Sequence, residues 1–155
     1  MPAEKLHFIT EQLVPLIRTL APGAAGKWGK MNAQQMTEHV AAFFKVSSGR
    51  LQMGLVTPEE HLPKYREFLR SEKEFRENTQ APLSIIGEEA LPLRHATMEA
   101  AVADLERSIR DFVGHFAVDS NTITTHPVFG PLNFEDWVLL HYKHVRHHAK
   151  QFGLV

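Results

Sequence analysis

Apolar residues recur at helical spacing in four long stretches of this chain. From Glu4 to Leu20, the residues Leu6, Ile9, Leu13, Leu16, Ile17 and Leu20 step by three and four, up to the break at Ala21-Pro22-Gly23, and Pro15 is placed to bend the rod. A second helix opens at Asn32, which reads as an N-cap with Gln35 three residues on, a variant of the capping box. It runs from Ala33 to about Gly49 or Met53 and carries Met36, His39, Phe43 and Val46 on one stripe. The third, Thr97 to about Phe116, is set by Met98, Ala101, Val102, Leu105, Ile109, Phe112 and Phe116. The fourth starts at Asn133, places Glu135 and Asp136 in a first turn where the helix dipole favours acids, and ends at Gly153 as a C′ residue. At about 100° per residue its stripe holds Trp137, His141, His144, His148 and Phe152, with Val138 and Val145 beside it. His147 falls on the flank and is expected to face solvent.

The connections are of different kinds. Ala21 to Lys30 is a small, Gly-rich, basic loop whose one large apolar group, Trp28, should pin it. Gly54 to Arg94 is interrupted by Pro58, Pro63, Pro82 and Pro92, yet Thr57-Pro58-Glu59-Glu60 suits a helix start and Lys64 to Asn78 is rich in helix formers, so it reads as a long crossover with helical pieces. Its charged run, Arg66 to Glu77, reads as solvated surface. Asp119 to Pro131 is turn-rich, and its His126, held extended before Pro127, is expected to be an exposed loop residue, with an approach to the last helix as the alternative. No alternation argues for a sheet, so the pattern predicts an all-α fold.

Composition narrows the class of partner. The 155 residues suit one domain, 1–155, with a core that needs no disulfide or structural metal. Net charge is −1 with signs interspersed, which excludes a visible nucleic-acid footprint. No cysteine is present, so thiolate ligands and a protein thiol nucleophile are excluded and any thiol chemistry needs an external thiol. The start, Met1-Pro2-Ala3-Glu4-Lys5-Leu6-His7, is unlike a signal peptide and no apolar run reaches membrane-spanning length; a soluble cytoplasmic protein is expected.

Four of the ten histidines lie within eight positions of the last helix, and that concentration is the candidate chemistry. Imidazoles on a buried face need partners, and a metal ion is one that several can share. His144 and His148, at i and i+4, can aim at one point, and His39, on another helix's apolar stripe, is the natural third ligand of an open site that leaves room for water or substrate. The pairs His141/His144 and His144/His147 compete at i, i+3, and spacing alone does not choose among them. His141 is open to four readings: fourth ligand, orienting partner, pocket acid or base, or plain core residue. His7 follows Glu4 at Glu-x-x-His spacing but has no second copy to complete a di-metal site, and reads as surface. Glu38, Glu135 and Asp136 could orient ligands or move protons, with exposed helix surface the expected fate of each. Imidazole donors suit Zn, Ni, Cu and Fe alike.

These residues resemble the DinB-like superfamily of metal-binding four-helix bundles. The resemblance rests on His39 within Gln34-Gln35-Met36-Thr37-Glu38-His39 and on His144-x-x-x-His148 followed by x-x-Gln151. Trp28-Gly29-Lys30-Met31-Asn32, His126-Pro127-Val128-Phe129-Gly130 and His147-His148-Ala149-Lys150-Gln151-Phe152-Gly153 are similar, more narrowly, to an uncharacterised branch of it. The resemblance implies that His39, His144 and His148 are the ligands of a divalent metal, Zn or Ni foremost, leaving His141 as a pocket candidate. It implies an up-down-down-up four-helix bundle, with the long crossover between helices 2 and 3, and a homodimer. It also implies that a small-molecule substrate or low-molecular-weight thiol could use the site, as in thiol-dependent transferases; hydrolysis is the second enzymatic use that an open metal site itself would allow. The competing expectation is a non-catalytic, metal-stabilised bundle or dimer.

Overall fold

Pro15 shapes the first element. It has no N–H to give the carbonyl of Glu11, and its ring would collide with that carbonyl in a regular helix. In the computed structural model, which describes residues 2–77 and 92–155, the rod therefore divides into α1 (Pro2–His7), a π-helical turn (Phe8–Gln12) and α2 (Leu13–Ile17). Leu13 N–H bonds to Phe8 O across the widened turn, so the helical irregularity sits one turn before Pro15. Phe8, Ile9, Leu13 and Ile17 still face the core.

The second predicted helix is α3 (Ala33–Ser47), and its capping box is present in full. Asn32 Oδ1 accepts from Gln35 N–H at 2.8 Å, and Gln35 Oε1 accepts from Asn32 N–H at 2.9 Å. The helix stops at the near end of its expected range because Gly49, at φ 77°, takes the left-handed conformation that closes it. The crossover supplies a short 3₁₀ turn (Glu59–His61) and α4 (Leu62–Arg70), whose Leu69 is buried while most of the charged run that follows is exposed. The break at Pro82 and the Asn78 end of the helix-forming run lie outside the described residues.

Next comes α5 (Met98–Val118), capped by the Thr97 side chain on Ala100 N–H, and it lies lengthwise against α3. Then β1 (Thr124–His126) and β2 (Gly130–Leu132) form an antiparallel hairpin with Thr124 opposite Leu132 and His126 opposite Gly130. His126 Nδ1 closes the turn by accepting from Val128 and Phe129 N–H at 3.0 and 3.2 Å. The last helix, α6 (Phe134–Gln151), has Asn133 as its cap and ends on Gly153 at φ 71°, with Leu154 N–H bonded back to Ala149 O at 2.7 Å.

These findings correct the expected fold class. The chain is not an all-α four-helix bundle of up-down-down-up form: it adds α4 and a two-stranded antiparallel sheet, which makes it a mixed α/β fold. Strands of three residues, one carrying Pro131, are too short for alternation to register in a sequence pattern. The core is nonetheless built from the predicted stripes, with Met36, Phe44, Leu105, Phe112 and Trp137 fully enclosed between α3, α5 and α6. No helix among the described residues is long and apolar enough to cross a membrane.

Candidate metal centre

The helical period brings three imidazoles to one point. His39 projects from α3 while His144 and His148, one turn apart on α6, project toward it. His144 Nε2 lies 3.0 Å from His39 Nε2 and 3.1 Å from His148 Nε2, and one nitrogen from each ring falls within 4.8 Å of the others. Among the described residues no fourth carboxylate or imidazole joins this group. The walls are rings: Phe43 meets His39 and His144 edge-on, with centroids at 5.2 and 5.3 Å.

Burial keeps the three rings neutral at neutral pH. The pKa of His39 is lowered to about 4, first by burial and then by His147 and Arg94. Those of His144 and His148 fall well below the ordinary value, again through burial first and then through neighbouring histidines. A neutral ring nitrogen carries one proton or one lone pair, so it makes one in-plane hydrogen bond. His144 Nε2 has two imidazole nitrogens at contact distance and can serve only one of them with a proton. A shared Lewis acid resolves this crowding. With metal–nitrogen bonds of roughly 2.0–2.1 Å, tetrahedral ligand nitrogens stand roughly 3.3 Å apart, close to what these contacts show. The donor set could therefore hold a metal ion, and its composition, imidazole alone, matches borderline transition metals rather than Mg or Ca.

The other histidines are placed differently. His141 is fully buried, stacked on Phe44 at 3.9 Å and on Trp137 at 5.1 Å, with Nε2 directed at Ser47 Oγ at 2.9 Å rather than at the three-histidine point. His126 is buried as well, against the expectation of an exposed loop residue; the hairpin folds it onto Phe43, ring on ring at 5.5 Å, and burial lowers its pKa to about 3. His147 was expected at the solvent-facing flank but is 8% exposed. Helix phase set the flank correctly, and two other segments cover it, with the Trp28 ring at 5.4 Å and the Phe75 ring at 5.9 Å. His7 is exposed, as its lone motif suggested.

The carboxylates divide too. Glu135 is exposed as expected. Asp136 is buried, paired with Arg70 at 3.5 Å. Glu38, next to His39, is buried and accepts from Arg94 N–H at 2.7 Å, His95 N–H at 3.2 Å and Gln34 Nε2 at 3.2 Å, so it anchors the chain entering α5. Spacing could not foresee that partner, because residues 92–95 reach α3 only through the tertiary fold. The second residue missed in its role is Gln151, whose Oε1 lies 2.7 Å from His148 Nδ1 and whose Nε2 donates to Trp28 O at 2.7 Å. Its signal was available in the position three residues after His148.

A sequence model of the family described as "Protein of unknown function (DUF1569)" matches residues 65–153, more than half of the chain. The match takes in the C-terminal part of α4, all of α5, the hairpin and α6, and so includes His144 and His148 but not His39. No curated protein and no solved structure matches the chain significantly.

Proposed function

The chain belongs to the DUF1569 family, and we propose that it is a divalent-metal-binding protein in which His39, His144 and His148 hold the ion and leave a position open to an outside ligand. The observation that carries this reading is the convergence of three neutral ring nitrogens on one point, with His144 Nε2 facing two others. The open position is supported by the three-donor set found among the described residues. Imidazole donors suit borderline transition metals, and Zn and Ni are the ions to test first.

Resemblance to the DinB-like superfamily supports the same ligand set, and it alone supports thiol transfer and a homodimeric assembly, whereas hydrolysis is supported by the open position a three-histidine site leaves for water. When bound, such an ion supplies a Lewis acid that holds a thiolate or hydroxide at neutral pH. The chain's own residues supply the rest. Phe43 walls the site, and His39, His144 and His148 remain neutral, as ligation requires.

Reconstitution tests the reading. The chelated protein should take up one equivalent of Zn or Ni, and His39→Ala, His144→Ala and His148→Ala should each abolish tight uptake. Full stoichiometry in any of the three sinks the ligand assignment. The loaded protein should then turn over electrophiles with a low-molecular-weight thiol, or hydrolyse a simple ester. A raised unfolding midpoint with no turnover on either panel replaces the enzyme with the metal-stabilised alternative, in which the ion ties α3 to α6.

A further inference from the structure

Gln151 is 3% exposed, so each polar atom of its carboxamide has to be matched within the protein. Trp28 O, at 2.7 Å from Nε2, can only accept. The amide nitrogen must therefore face Trp28, and Oε1 must face His148 Nδ1 at 2.7 Å. Since Oε1 can only accept, Nδ1 carries the proton. His148 is left with its lone pair on Nε2, the nitrogen that points at His144.

The loop around this amide is shaped to it. A Cβ on Gly26 would stand 2.8 Å from Gln151 Cγ and 2.9 Å from Trp28 O, and one on Gly29 would stand 2.8 Å from Gln151 Nε2. Gly29 also adopts φ 80°, which a side chain would oppose. Lys27 N–H bonds to the backbone carbonyl of Gln151 at 2.7 Å, and Ala25 bridges to Asn32, the cap of α3. One loop thus grips the end of α6 and runs directly into the helix that bears His39.

We propose that Gln151 is the positioning residue of the metal site, fixing His148 with hydrogen on Nδ1 and a lone pair on Nε2, and that the Gly26–Gly29 loop holds the carboxamide in that orientation. The proposal rests on the metal-binding reading, but the tautomer can be read in the metal-free protein. Long-range ¹⁵N–¹H correlation spectra of ¹⁵N-histidine-labelled apo protein should show His148 protonated on Nδ1. In Gln151→Leu the ring should shift toward protonation on Nε2, and zinc affinity should fall roughly 10- to 100-fold, as for other partners that orient metal-bound histidines. Gln151→Glu can still accept from Nδ1 but turns a second acceptor oxygen toward Trp28 O, so it should keep the tautomer and recover only part of the affinity. Gly29→Ala, which displaces the amide while leaving its chemistry intact, should reproduce part of the Leu effect.

A wild-type His148 protonated on Nε2, or a Gln151→Leu protein that binds zinc within about twofold of wild type, overturns the positioning role and leaves the ligand assignment standing. A wild-type protein that takes up no zinc or nickel overturns both.

Discussion

His141 and the pair His144/His148 occupy one stripe of one helix, and burial moves their pKa values in one direction, yet they do opposite things. Ser47 Oγ gives its proton to Phe44 O at 2.7 Å and so accepts from His141 Nε2–H at 2.9 Å. That ring is satisfied by a hydroxyl and sandwiched between Phe44 and Trp137. One turn later, His144 Nε2 faces two further ring nitrogens and has no way to satisfy both with protons. Depth in the fold does not separate His141 from His148, which are 1% and 6% exposed. The atom opposite the ring nitrogen does.

The largest effect expected from this contrast is on metal content. His144→Ala should lose tight zinc binding altogether, a drop beyond the roughly 10- to 100-fold cost of removing an orienting partner, whereas His141→Ala should still bind one equivalent. Titration of the two chelated proteins, followed by elemental analysis, decides it. If His141→Ala also loses the metal, the boundary drawn between the two environments is misplaced.

Stability should show the reverse ranking. His141→Ala opens a cavity between Phe44, Phe112 and Trp137, for which about 2–5 kcal/mol is the usual cost of a large-to-small core change. The same loss is expected with and without metal, since His141 does not face the site. His148→Ala should instead forfeit the extra stability that bound metal confers, in proportion to its concentration over Kd. Urea unfolding of both variants, apo and zinc-loaded, gives the four numbers needed; a metal-dependent cost at His141 would contradict the separation.

Much of this division was legible from the residues, and what was not has a physical cause. Helical phase put His39, His141, His144 and His148 on inward stripes, and the caps at Asn32 and Asn133 fixed where those stripes begin. Spacing is silent, however, on what stands opposite a buried ring, so Ser47 behind His141 and Glu38 behind the Arg94–His95 backbone emerged only with the fold. His126 and His147 were misplaced for a related reason. Each is covered by segments distant in sequence, Phe43 and Trp137 in one case and Trp28 with Phe75 in the other. The hairpin itself escaped because three-residue strands leave no periodicity to detect.

Acid should sharpen the comparison next. His126 has a folded pKa of about 3 against about 6.5 in the unfolded chain, so between those values the unfolded state binds more protons. The stability this neutral ring contributes is complete above about pH 6.5 and is lost progressively as pH falls toward 3, at up to about 1.4 kcal/mol per pH unit for each such group. In His126→Asn the amide oxygen can still accept from Val128 and Phe129 N–H, but the group no longer titrates. Apo stability measured from pH 7 to pH 5 should therefore fall less steeply in the variant by about one group's share. Parallel curves would mean that His126 does not stay neutral in the fold.

The smallest effect tests whether fold and site can be pulled apart at all. Asn32→Ala removes the cap of α3 and leaves Gln35 N–H without its side-chain acceptor, a change that typically costs about 1 kcal/mol. His39 lies two turns further on, where the helix is held by Met36, Val40 and Phe44 in the core rather than by its first turn. The metal should therefore bind Asn32→Ala about as tightly as wild type while the apo protein unfolds at lower urea. A matching loss of affinity would show that the loop running from Gly26 through Asn32 transmits the cap to Gln151 and His148, and that the three clustered histidines depend on the same local contacts as the helix that carries one of them.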